Sequence, residues 1–209
     1  QRSSVGAIFV NRQGMGEAEN DYNRTYALDG KWGLGKKATI SGFYAKTDTP
    51  GEELDEQAFK LLASYEWNGL GATAGYTQVD EGFNPEVGFL LRSAFRKPEA
   101  SVYKQFRMNG KFGLLELRPH ATYRAYWNFT GFQETSYLHV DNHWVWINGL
   151  EIHTGINFTT EGVVTPFEIS EGIIVPTGTY NHEEAQIVFI TNPSKPLYVS
   201  TRSILGGSF

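Results

Sequence analysis

His139, Asp141 and His143 alternate along one stretch, so in an extended chain all three side chains leave the same face. Two imidazoles and a carboxylate make a chemically sensible donor set for zinc or iron. Alternating polar residues are also what the wet interior of a β-barrel presents, and that reading is adopted, with no metal assigned. Glu116 and Glu151 could act as acid and base in glycoside hydrolysis. They fall on different stretches among Lys60, Arg118 and Arg124, which fits a lattice of opposed charges. The acids Glu52, Glu53, Asp55 and Glu56 read as a solvated loop, and the Asn-x-Ser/Thr sequences, such as Asn128-Phe129-Thr130, as incidental. No nucleophile elbow, phosphate loop or zinc-protease helix motif occurs. The expectation is a non-enzyme with no catalytic residue and no cofactor.

The elements that must position these side chains are strands. Eleven are predicted, over residues 5–10, 26–34, 39–46, 59–67, 70–79, 101–108, 114–127, 135–147, 150–159, 184–191 and 197–205. The connections alternate between long and short, with Gly35-Lys36-Lys37, Asn68-Gly69, Asn109-Gly110 and Asn148-Gly149 at short ones. Asn-Gly tolerates the positive φ angles of a tight hairpin. The longest connections cover residues 80–100 and 160–182, the latter containing Pro166, Gly172, Pro176 and Gly178. Tight turns at one rim and long loops at the other characterise an outer-membrane barrel.

Period-two faces sharpen this expectation. Leu115, Leu117, Pro119, Ala121, Tyr123, Ala125 and Trp127 oppose Glu116, Arg118, His120, Thr122, Arg124 and Tyr126. Phe59, Leu61, Ala63, Tyr65 and Trp67 oppose Lys60, Ser64 and Glu66. A soluble, lectin-like β-sandwich would alternate too, but its strands average about 5 to 6 residues, and 114–127 is about twice that. Phe59 and Trp67 are eight residues apart, roughly 27 Å along a strand. Tilted by about 40°, that crosses roughly 20 Å of bilayer. Pro119 cannot donate a ladder hydrogen bond, so a bulge or break is expected there.

Composition is permissive. The 209 residues include 5 Trp and 11 Tyr, suited to interfacial girdles, and no cysteine for disulfides or thiolate metal sites. A net charge of -5 argues against nucleic acid. No apolar run reaches 18 residues, which excludes helical spans. The start at Gln1, without Met or a signal sequence, reads as a processed or interior piece.

The stretches SSVGAIFVNRQ, NRTYALDGKWGLGKKATISGFYAKTDTPG, DEGFNPEVGFLLRSAFR and FEISEGIIVPTGTYNHEEAQIVF resemble the C-terminal barrel of the domain of unknown function 5916 family. The most specific parts are residues 82–92 and 166–180. The resemblance implies a bacterial outer-membrane protein in which a carbohydrate-binding-module family 9-like domain precedes the barrel. It further implies that this N-terminal domain and the last strands are missing from residues 1–209. It carries over no catalytic residue.

The expected fold is therefore all-β: an antiparallel up-and-down transmembrane β-barrel, incomplete, an open section of about eleven strands with two bare edges. The odd strand count agrees, because bacterial single-chain barrels close with even numbers. The expected function is transport or channel activity for saccharides or other small solutes in the bacterial outer membrane. The alternatives are a surface carbohydrate-binding or adhesion protein with a closed lumen, a soluble lectin-like sandwich and a membrane-embedded hydrolase. Expected partners are outer-membrane lipid and a saccharide ligand, with the oligomeric state open. The expected lumen lining is Lys31, Lys60, Glu66, Glu116, Arg118, Arg124 and Glu151. A second candidate binding element is the apolar loop bearing Phe83, Pro85, Phe89 and Arg92, expected to pack on the rim or fold into the lumen.

Overall fold

The computed structural model describes residues 2–16 and 20–207. Eleven strands follow one another in a single antiparallel sheet: β1 (Ser4–Gln13), β2 (Tyr22–Leu34), β3 (Ala38–Asp48), β4 (Gln57–Trp67), β5 (Leu70–Val79), β6 (Phe95–Lys104), β8 (Leu114–Trp127), β9 (Gln133–Trp146), β10 (Glu151–Val163), β13 (Gly178–Ile190) and β14 (Ser200–Gly206). A two-residue strand, β7 (Phe106–Arg107), pairs with β8 and brings the sheet to 12 strands. β11 (Phe167–Ser170) and β12 (Ile173–Val175) form a separate hairpin. Among the described residues the sheet is open: β1 pairs only with β2, and β14 only with β13. The fold shown is thus an open up-and-down antiparallel sheet. Among the described residues no helix is long and apolar enough to cross a membrane.

Several boundaries depart from the sequence expectation. β6 begins at Phe95 rather than Ser101 and runs through Pro98. β8 continues unbroken through Pro119. Proline's φ of about -65° is compatible with extended backbone, and its missing N–H removes one ladder bond, so a strand can absorb it where neighbouring bonds hold the register. The connection expected over 160–182 shrinks at both ends, because β10 extends to Val163, which pairs with Gly178 at the start of β13. Backbone pairing here outlasts the apolar alternation that marks a strand in sequence.

The short turns follow their residue chemistry. Asn68 (φ 50°) and Gly69 (φ 71°) both occupy the left-handed region, as a type I′ hairpin requires. Gly149 (φ 85°) turns differently, with the Asn148 side chain accepting the Leu150 N–H at 3.0 Å.

Packing divides the chain into two units, Gln1–Tyr65 with Ala74–Pro98 and Tyr126–Gly131, and Glu66–Thr73 with Glu99–Ala125 and Phe132–Phe209. In the first, strand register sets Leu28 opposite Tyr44 and Tyr44 opposite Phe59, while Trp32 faces Ile40. These side chains share one face with Leu61, and much of that face is exposed: Leu28 by 61%, Trp32 by 65% and Leu61 by 58%, with Phe59 partly covered. The opposite face is the buried one. It holds Asn23 and Thr47, both almost fully buried, and an apolar cluster of Ala45, Ala58, Val79, Phe83 and Phe95.

The second unit repeats the inversion. Ile152 opposes Trp144 and Phe189, and Ile156 opposes Val140 and Ala185, giving an apolar face on which Val140, Ile156 and Ile187 are exposed. Asp141, Asn157, Gln186 and Glu116 are buried on the other side. Folding in water puts apolar groups inside, at about 25 cal/mol per Å² of apolar surface removed. Both units instead expose one whole apolar face, although the first also buries the apolar cluster around Phe83.

Candidate functional site on the polar face

The polar face of the second unit is assembled by register. β9 and β10 pair so that His139 faces Asn157, Asp141 faces Gly155 and His143 faces His153. β8 contributes His120, whose ring centroid is 5.1 Å from that of His139 and 5.0 Å from that of His143. His143 stacks on His153 at 3.6 Å. Asp141 is at the centre: its Oδ1 accepts the Thr154 N–H at 3.0 Å, while Oδ2 is 3.5 Å from His139 Nε2 and 3.8 Å from His143 Nε2. Gly155 makes room for the carboxylate, since a Cβ there would stand 3.1 Å from Asp141 Oδ2.

Beyond Asp141, the buried Asn157 ties the group to its neighbours. It accepts the Tyr137 hydroxyl at 2.9 Å, contacts His139 Nδ1 at 2.6 Å and donates from Nδ2 to Glu184 at 3.3 Å. An open cleft of about 440 Å³ adjoins the cluster, lined by Tyr103, Gln105, Arg118, His120, Thr122 and His143.

Of the residues expected to line a lumen, Glu116 is the most buried. It accepts Gln105 Nε2 at 2.6 Å and pairs with Arg107 at 2.9 Å and Arg118 at 3.1 Å. Glu151 instead meets His153 Nε2 at 3.3 Å, so Glu116 and Glu151 have separate partners and do not form an acid–base pair. Arg124 lies over the Tyr137 ring at 5.0 Å. Lys31 pairs across to Ser41, and Lys60 to Phe43, on the polar face of the first unit, whereas Glu66 is exposed at the end of β4. Replacing Glu116 by glutamine removes a buried charge that answers two guanidinium groups. A loss of about 2 kcal/mol is expected, within the range for charged hydrogen bonds. Arg107 and Arg118 are partly solvated, which limits the penalty. Denaturation midpoints check this, with Glu66→Gln as an exposed control that should stay within about 0.5 kcal/mol.

The first unit carries the candidate loop. Phe83 sits in the apolar cluster of the polar face, and residues 84–86 are held by side chains of β2 and β3. Asn84 N–H donates to Thr47 Oγ1 at 3.2 Å, and Asn23 donates to Asn84 O at 2.9 Å while accepting the Glu86 N–H at 3.3 Å. Arg12 joins Glu86 at 2.6 Å and also contacts Asp21. Pro85 accepts the Gly88 N–H at 2.7 Å, closing a turn that sends Phe89 and Leu91 outward, where both are almost fully exposed. Arg92 covers the Tyr126 ring at 4.3 Å.

No family model, curated protein or solved structure matches this chain. What the site does must be argued from its own residues. Among them, His120, His153, Asn157 and Gly155 join the site through strand pairing and not through any spacing within one segment. His120 was visible on the polar face of its strand, but the register that brings it beside His139 leaves no mark in either segment.

Proposed function

We propose that this sheet is part of a β-barrel in the bacterial outer membrane, and that its polar face borders an aqueous lumen for saccharides or other small polar solutes. The observation that carries the reading is the inverted burial: leucine, isoleucine and tryptophan are exposed on one face while asparagine, threonine, aspartate and glutamate are buried on the other. A lipid-facing strand wants apolar side chains outward and polar ones inward. The free edges of β1 and β14 fit the same reading only if further strands close them, because unpaired N–H and C=O groups cannot face hydrocarbon. The resemblance to the domain of unknown function 5916 family supports the same location.

Docking of Phe83 and residues 84–86 against the polar face favours a second reading, in which the lumen is filled and the protein binds solutes without passing them. Planar-bilayer recording separates the two. Discrete conductance steps that are reduced by added oligosaccharides are the expected result. Saccharide binding without conductance would select the filled lumen, and failure to enter detergent micelles or lipid would remove both readings.

A further inference from the structure

Four of the five histidines in the chain gather around one buried carboxylate on the polar face of the second unit. Among the described residues neither a lysine nor an arginine pairs with that carboxylate, Asp141; its ion-pair neighbours are His139 and His143. A buried carboxylate that no lysine or arginine pairs with is costly unless some other positive charge accompanies it.

The hydrogen bonds around His139 specify which of its nitrogens bears a proton. Asn157 Nδ2 donates to Glu184, a carboxylate that only accepts, so Asn157 Oδ1 is the atom turned toward Tyr137 and His139. His139 Nδ1 must therefore donate to Asn157 Oδ1, which leaves Nε2 as the ring nitrogen open to a metal ion. That nitrogen faces Asp141 Oδ2 at 3.5 Å. This distance is too long for a good N–H···O bond. It suits two donors to one ion: with metal bonds of about 2.1 Å to each, the angle at the metal is ~113°, close to tetrahedral.

We propose that His139 Nε2, Asp141 Oδ2 and a ring nitrogen of His120 bind a divalent transition-metal ion, with zinc the best match to the donor set. Their ligand atoms lie within 4.8 Å of one another, and a small side-chain shift would bring them to the roughly 3.4 Å between ligands of a tetrahedral ion. His120 reaches in from β8 while His139 and Asp141 stand on β9, so the ion clips two neighbouring strands together. The Nδ1–H of His139 on Asn157 is the outer hydrogen bond that orients a metal-bound imidazole. The Thr154 N–H on Oδ1 holds the carboxylate with Oδ2 free for the ion, and Gly155 leaves the space it occupies. The adjoining cleft supplies an entry path and a position for water or a solute as fourth ligand. Arg118 also lines that cleft, but Glu116 engages its guanidinium at 3.1 Å. The site does not depend on whether the lumen conducts.

The test uses chelator-stripped protein in detergent, titrated calorimetrically with zinc chloride and, separately, followed by the visible absorption of added cobalt(II). One equivalent of zinc should bind, and cobalt should give the intense bands of a low-coordinate nitrogen and oxygen site. Asp141→Asn and His139→Ala should each weaken zinc binding by at least tenfold with an unchanged circular dichroism spectrum. His120→Gln should do the same, and Asn157→Ala should cost roughly tenfold through the lost orientation. Gly155→Ala should crowd the carboxylate and also weaken binding. His182→Ala is the control: it lies on β13 opposite Thr159, supplies none of the three ligands, and should leave zinc binding unchanged. Absence of stoichiometric zinc binding would overturn the proposal, as would zinc binding that survives both Asp141→Asn and His139→Ala. Zinc binding with no conductance would leave the metal site standing and remove only the channel.

Discussion

Replacing Leu61 by arginine should take the protein out of the membrane fraction, while Ser64→Arg three residues further along the same strand should leave it there. Leu61 is on the apolar face of β4, opposite Gly42 on β3, and is exposed. Ser64 is on the other face, opposite Thr39. If the apolar face meets lipid, an arginine near the middle of the band costs about 2 to 4 kcal/mol, or roughly a thirty- to thousandfold shift in insertion. If the protein were soluble, the same substitution would alter an already solvated position and change stability by less than about 0.5 kcal/mol. Fractionation and protease protection of the two variants therefore distinguish the environments. Equal partitioning of both variants would sink the outer-membrane reading. Leu28 and Ile187, exposed on the apolar faces of the two units, should behave as Leu61 does.

Truncating Phe83 to alanine should release the loop that follows β5, at a cost of about 3 kcal/mol. The ring is 7% exposed and packs among Ala45, Ala58, Val79 and Phe95, with Ala27 and Tyr126 alongside. Three of those neighbours are alanines, whose side chains are too short to collapse into the space a phenyl ring leaves. The cavity term therefore adds to the transfer term, as for buried aromatic residues in general. Gly82 approaches the preceding loop so closely that a Cβ would be 3.0 Å from Leu54 Cβ, which leaves the backbone little freedom to follow. The polar anchors at Asn23 and Thr47 would remain but could not hold the segment alone, since each is worth about 1 kcal/mol. Faster proteolytic cleavage within residues 85–91 and a midpoint lower by roughly 6 to 12 °C are the expected readouts. Phe83→Leu, which keeps most of the volume, should show less than half the effect. Under the transport reading, the alanine variant should also conduct more than the wild type. Unchanged cleavage in Phe83→Ala would mean that the hydrogen bonds to Asn23 and Thr47 fix the loop by themselves.

Local chemistry made much of the fold legible in the sequence. Alternation in segments such as 59–67 and 114–127 marks strands with one apolar and one polar face, because side chains repeat with period two. Asn68-Gly69 marks a tight turn because both residues tolerate positive φ. Where the sequence reading failed, the missing information was pairing. Phe95 to Ala100 contains Pro98 and polar residues, and 178–183 contains Asn181 and His182, so neither stretch has an apolar period. Both are strands because a neighbouring backbone pairs with them or continues them.

The candidate site divides along the same line. His139, Asp141 and His143 could be placed on one face from spacing alone, since that follows from the geometry of a single extended segment. The sequence likewise determined that each long strand has a face fit for lipid and a face that is not. Only the tertiary structure decided that His120 stands beside His139, that Asn157 fixes the His139 proton, and that Phe83 turns back onto the polar face. Those facts depend on strand register and on long-range closure, where a shift by one residue would exchange every face. Residues near each other in space but 19 or more apart in the chain, as His120 and His139 are, carry no local sign of their meeting.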